Sequence, residues 1–165
     1  PRFSYQAVDA VFWGADGAAA VRIGAFELGV DGAVVRARDV QNDAFLVFIP
    51  PDRVRGSLTW HAPDIGPLYD IQASVNGSFV ARQDRFDPAA DLAPPPDAYA
   101  LLGAALGMKA DLEGQRLRFS VGGSNLLDAR YRDYTSLLRY FADEPGLQLM
   151  VRLGAVLGDV EPARD

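Results

Sequence analysis

The chain has 165 residues, 16 basic and 22 acidic, and its formal charge of −6 argues against a general nucleic-acid binder. Without a single cysteine it has no disulfide framework, no thiolate metal site and no thiol nucleophile. It contains no run of about 18 apolar residues, which excludes a transmembrane helix but not a barrel strand, since that needs only about 10 residues of alternating character.

Taken in chain order, segments at about 8–23 and about 26–38 are compatible with two strands meeting at Gly24-Ala25. Val54, Gly56, Leu58 and Trp60 then alternate with Arg53, Arg55, Ser57, Thr59 and His61. The longest alternation sets Tyr69, Ile71, Ala73, Val75, Gly77, Phe79 and Ala81 against Asp70, Gln72, Ser74, Asn76, Ser78 and Val80, with Val80 the one apolar member of the polar set. A segment at about 98–111 is again compatible with a strand. Leu117, Phe119 and Val121 alternate with Arg116, Arg118 and Ser120, and Leu147, Leu149, Val151 and Leu153 with Gln148, Met150, Arg152 and Gly154. Successive strand side chains point to opposite faces, so each clean segment has one apolar and one polar face. Seven antiparallel strands are expected, several longer than the usual five or six residues of a globular strand.

The connections alternate in length. Gly24-Ala25, the six residues from Ala62 to Pro67, and Leu112-Glu113-Gly114-Gln115 are short; Asp39 to Asp52, Gln83 to Asp97 and Gly122 to Gly146 are long. Short turns on one side and long loops on the other are how outer-membrane barrels arrange periplasmic turns and extracellular loops. The rival is a soluble all-β sandwich, a binding or structural domain, which shares the alternation but has no reason to segregate its loops.

Asn125-Leu126-Leu127-Asp128-Ala129-Arg130-Tyr131-Arg132-Asp133-Tyr134, continuing through Leu138-Arg139-Tyr140-Phe141-Ala142-Asp143-Glu144-Pro145-Gly146, resembles the C-terminal signature of TonB-dependent outer-membrane receptors. The resemblance is close over residues 119–153. Looser matches precede it in the right order: Trp13-Gly14-Ala15-Asp16 resembles a Tyr-Gly-X-Glu core, with Trp for Tyr and Asp for Glu, and Pro50-Pro51-Asp52-Arg53 resembles the Pro-Pro-X-Arg that opens a down-going strand. The resemblance implies that residues 1–158 are the C-terminal wall of a 22-stranded transmembrane β-barrel, an open curved sheet when isolated, with 159–165 a charged tail. It further implies TonB-dependent uptake of a scarce nutrient such as a ferric siderophore across a Gram-negative outer membrane. The partners would be the TonB complex, reached through an N-terminal plug that is absent from this chain, the siderophore, and outer-membrane lipid. The chain departs from the family where an aromatic residue usually ends the last strand; here Gly154-Ala155-Val156-Leu157-Gly158 and a charged tail stand instead.

No cofactor, catalytic group or metal site is expected. His61 is the only histidine, without a second ligand at a motif spacing, and is expected to be solvated or hydrogen-bonded. Gly122-Gly123-Ser124-Asn125 lacks the Lys and following helix of a phosphate loop, and Ser124 and Ser136 lack a base. Asp128, Asp133, Asp143 and Glu144, mixed with Arg130, Arg132 and Arg139, suggest solvated loop ion pairs before a cation site. The candidate ligand contacts are Phe45, Phe48, Tyr131, Tyr134 and Tyr140, with an interfacial girdle or loop packing as their structural alternative.

Overall fold

The computed structural model describes residues 7–112 and 115–156. They form one antiparallel sheet: β1 (Ala10–Ile23), β2 (Phe26–Asp39), the two-residue β3 (Ala44–Phe45), β4 (Arg53–Ala62), β5 (Leu68–Val80), β6 (Tyr99–Leu112), β7 (Gln115–Ser124) and β8 (Gln148–Val156). The seven long strands lie side by side in chain order, β1-β2-β4-β5-β6-β7-β8, with β3 hydrogen-bonded to β2 alone. The sheet is open, β1 and β8 being its edges. A sandwich would lay a second sheet on the first; the described residues make only one.

The expected alternation survives into three dimensions as a register. Val21, Leu28, Leu58, Val75, Ala104, Gly123 and Leu149 stand opposite one another in a row across all seven long strands. The next row, toward the short turns, runs Ile23, Phe26, Trp60, Ala73, Leu106, Val121 and Val151. These rows make one face apolar from edge to edge. The opposite face carries Asp31, Arg55 and Ser78 in one row and Glu27, Thr59 and Ser74 in another.

One expectation needs correction. Tyr69 does not share the face of Ile71 and Ala73. The register of β5 on β6 shifts between Tyr69 and Gln72, and Asp70 in that gap has φ +50°. The extra residue of this β-bulge turns Tyr69 to the polar face, where its hydroxyl donates to Asp111 Oδ1 at 3.0 Å and the Arg116 guanidinium lies 5.8 Å from its ring centre.

No second layer of described residues packs on the apolar face. Phe26, Leu28, Val30, Leu58, Trp60, Val75, Phe79, Leu149, Val151 and Leu153 are between 41% and 79% exposed, and apart from two loop prolines, Pro51 and Pro95, the buried apolar side chains among the described residues are only Ala37, Ile71 and Tyr134. A large apolar side chain left in water forgoes about 1.5–3 kcal/mol. Even half-exposed, ten of them forgo more than ~5 kcal/mol, as much as the whole stability of a small domain, about 5–15 kcal/mol.

The short connections are tight. Gly24, at φ +60°, takes the first position of the two-residue turn between Ile23 and Phe26, the place a type II′ hairpin gives to glycine. Gly66, at φ +58°, does the same between Ile65 and Leu68, which exchange backbone hydrogen bonds of 2.8 and 3.0 Å. Leu112 faces Gln115 across the third turn, whose Glu113 and Gly114 lie outside the described residues, as do 157–165 and so the expected charged tail. Because every strand neighbours the next, connections alternate between the sheet's two ends. The long ones, 40–52, 81–98 and 125–147, therefore all lie at one end.

Candidate functional site

The three long connections meet and pack on one another. At their centre is Arg139, in a short 3-10 helix, Leu137–Tyr140, whose first turn is capped by Ser136 accepting from the Leu138 N–H at 3.2 Å. Arg139 is 3% exposed, and its guanidinium is paired with Asp91 of the preceding long loop, both side chains being essentially inaccessible. The same carboxylate accepts from the Tyr134 hydroxyl at 3.1 Å and the Tyr140 hydroxyl at 2.7 Å. The Tyr134 and Tyr140 rings lie 4.5 and 4.3 Å from the Arg139 carbon Cζ, with Phe48 of the first long loop at 5.5 Å. A buried charge pair is tolerated only when its remaining hydrogen-bonding capacity is met. Here two tyrosine hydroxyls bond Asp91 and three rings cover Arg139, whose buried Nε is left without a hydrogen-bond partner among the described residues.

Phe48 has φ +62°, left-handed backbone that a bulky residue adopts only under constraint, at a cost of about 1–3 kcal/mol. Its ring lies 6.4 Å from that of Tyr134 and 6.3 Å from that of Tyr140, and this packing holds the conformation.

A second set of contacts ties the loops to the strand ends. Asp52 takes the Arg36 guanidinium bidentately, with Nη2 at 2.9 Å from Oδ2, and Arg85 at 3.3 Å. Gln83, 1% exposed, donates to the Ile49 carbonyl at 2.8 Å. The Pro-Pro-Asp-Arg segment thus serves as an anchor between the first and second long loops.

The Asn125–Gly146 signature proves to be a loop-closing device. Asn125, 4% exposed and at φ +48°, accepts from the Ala129 N–H and donates to the Ala129 carbonyl, both at 2.9 Å, so its amide stands in for a backbone pair. Asp128 accepts from the Leu147 N–H at 3.0 Å, closing the base of the loop where β8 begins. A Cβ on Gly146 would come within 2.5 Å of Asp128 Oδ1, so only glycine lets that carboxylate reach. Gly146→Ala is therefore expected to weaken the closure by about 1–3 kcal/mol, the worth of a hydrogen bond to a charged group. Faster tryptic cleavage at Arg130 and Arg132 would read it; an unchanged cleavage rate would contradict the role given to Asp128.

The carboxylates of this loop are separately engaged. Asp133 accepts from the Thr135 N–H at 2.7 Å and from Tyr99 at 3.3 Å, and Asp143 pairs with Arg132 at 2.6 Å. Among the described residues no group of three His, Asp or Glu side chains stands close enough to hold a metal ion. His61 faces Glu27 at 3.6 Å on the polar side of the sheet, and, against the expectation of solvation or a hydrogen bond, its Nε2 is buried with no hydrogen-bond partner among the described residues.

Of the five candidate contacts, Phe48, Tyr134 and Tyr140 come together around Arg139. Tyr131 lies apart, its ring 4.5 Å from that of Tyr99, and Phe45 lies under the Arg38 guanidinium, 5.4 Å from its ring centre. Tyr134 is 3% exposed and wholly inside the packing. Of the 3-10 helix and its C-cap residue, the side chains that project are Leu137, Leu138 and Phe141, the last 72% exposed. They carry no motif, and only the 3-10 helix, with Arg139 turned inward, presents them outward.

The buried pair sets a pH window. Burial pushes the Asp91 carboxyl up, but the Tyr140 and Arg139 hydrogen bonds outweigh it and leave its pKa below the ordinary carboxylate value. Its contribution is present above that ordinary value and lost as pH falls through the lowered one. Tyr134 is pushed up to about 12, by burial first and then by the Asp91 charge. That contribution is complete below the ordinary tyrosine value near 10 and lost as pH climbs to about 12. A tyrosinate absorbance titration should lose one tyrosine's amplitude near pH 12 in Tyr134→Phe, while Tyr99, raised further by burial, titrates later in both proteins; an unchanged amplitude near 12 would refute the assignment.

No family model matches the chain, and no curated protein matches it. Nine chains of solved structures do. One, the copper transporter OprC, superposes with a TM-score of 0.73 at 19% identity, over 88% of this chain and 24% of its own. This chain has the fold of part of the OprC chain. It spans about a quarter of the OprC chain, and at that identity the likeness is one of fold.

Proposed function

We propose that the chain is the C-terminal wall and part of the loop cap of a TonB-dependent outer-membrane receptor, which takes up a scarce nutrient such as a ferric siderophore into a Gram-negative bacterium. The observation that carries this is the pairing of a sheet with apolar rows across one face of all seven long strands and long loops gathered and packed at one end. The apolar face would meet outer-membrane lipid and the polar face the lumen of a 22-stranded barrel. The folded Asn125–Gly146 loop and the OprC likeness support the same reading. TonB would act through a plug domain outside this chain, and no residue here is given a catalytic role. Leu137, Leu138 and Phe141, with the half-buried Phe45, Phe48, Tyr131 and Tyr140, would line the approach of the ligand, while Tyr134 supports them from beneath.

The test is uptake by the complete receptor, produced in a Gram-negative host lacking its own siderophore receptors. Labelled ferric siderophores and copper ions are offered with and without TonB. Siderophore uptake that disappears without TonB is the expected result. Uptake of copper alone would replace the ligand class, and TonB-independent uptake or a soluble product would overturn the reading.

A further inference from the structure

The polar face carries a second feature, near the short-turn end of β6, β7 and β8. Lys109 stands directly opposite Arg118 in the register, and Arg152 lies one position diagonally from Arg118 on the next strand. Cross-strand residues directly opposite have Cβ atoms about 5 Å apart, diagonal ones about 7–8 Å, and like charges so placed are destabilising. One carboxylate offsets the three cations: Asp70, held in the β5 bulge, pairs with Lys109 at 2.6 Å. The side chains of Arg118 and Arg152 have no ion-pair or hydrogen-bond partner among the described residues. The trio borders a groove of about 510 Å³ in which Gln72 and Ser120 add polar groups, while Gly107 and Gly154 leave the floor clear.

The patch is confined. Toward the long loops the next row is Ala105, Gly122 and Met150, without charge. Toward the short turns Arg116 is already neutralised by Asp111 at 3.0 Å. A long acidic segment would find complementary charge only over two rows, whereas a compact anion of two or three charges matches it.

We propose that Lys109, Arg118 and Arg152 form a binding site for a compact polyanion, a small molecule presenting two or more carboxylates or phosphates together. The guanidinium forks of Arg118 and Arg152 take one oxyanion group each in bidentate fashion. Lys109, already shared with Asp70, adds a point charge, and Gln72 and Ser120 supply neutral donors. The site goes beyond the uptake reading and does not require it, since the three cations share the polar face whether or not a barrel closes around them.

The experiment is calorimetric titration of citrate and of pyrophosphate into the full chain folded in detergent micelles, with sheet content checked by circular dichroism. If the micellar chain lacks sheet, the same titration is made on outer-membrane vesicles carrying the assembled protein. Saturable binding is expected, weakened about tenfold or more by Arg118→Gln and by Arg152→Gln. Arg55→Gln, on the same face but paired with Asp31, should leave it unchanged. No saturation into the millimolar range, or equal binding by the Arg118→Gln/Arg152→Gln variant, would overturn the site. An acidic peptide of equal charge binding as tightly as citrate would overturn the compact ligand. None of these readouts depends on transport, so failure here and failure of the uptake reading are distinguishable.

Discussion

Replacing Arg139 with Met is expected to release the three long loops from one another while leaving the sheet paired. The substitution strands the Asp91 carboxylate, which is inaccessible to water, beside two tyrosine hydroxyls. Breaking a buried ion pair from one side costs about 3–5 kcal/mol, because the surviving charge is left uncompensated. Since each 1.4 kcal/mol is a factor of ten, amide exchange in 40–52, 81–98 and 125–147 should accelerate by roughly 10²–10⁴-fold. Exchange in the middle of β4, β5 and β6 should not change, because their hydrogen bonds run between strands and not through the loops. Asp91→Leu combined with Arg139→Met should recover much of the loss, as apolar replacement of a whole buried pair often does. Recovery would remain incomplete, because Tyr134 and Tyr140 lose their acceptor. Equal exchange rates in the single variant and the parent would show that the pair does not hold the loops.

The second large effect belongs to the apolar face. Val30 lies in the middle of β2, opposite Ala19 and Gly56, and is 52% exposed. Under the proposed reading Val30→Arg places a guanidinium in the hydrocarbon near the bilayer midplane, at a cost of about 2–4 kcal/mol. Asn76→Arg, on the polar face of β5, should cost much less, because the lumen side accepts charge. Urea titration of the assembled protein in lipid vesicles measures both. Equal costs would mean that the two faces see the same solvent, and the barrel reading would fall. The contrast is sharp because a strand alternates its faces at every residue, so the Arg sits in lipid or in water with no intermediate depth.

Much of the architecture was legible in the alternation. The period of two around Leu58 and Val75 specifies strands and their faces by covalent geometry alone, and Gly24 and Gly66 mark turns because few other residues tolerate positive φ. Loop lengths, with neighbour-to-neighbour pairing, place the long connections at one end. The bulge at Asp70 was not legible: one extra residue leaves no trace in hydropathy, so the side taken by Tyr69 came only with the partner strand. Nor could spacing show that Arg139, Asp91 and Phe48, more than 40 residues apart in each successive step along the chain, share one buried contact. Local sequence determines what each residue does to its own backbone and which face it takes. Which residues meet across loops, and which of Tyr134 and Phe141 is buried, depends on contacts between distant segments, and only the folded sheet brings those segments together.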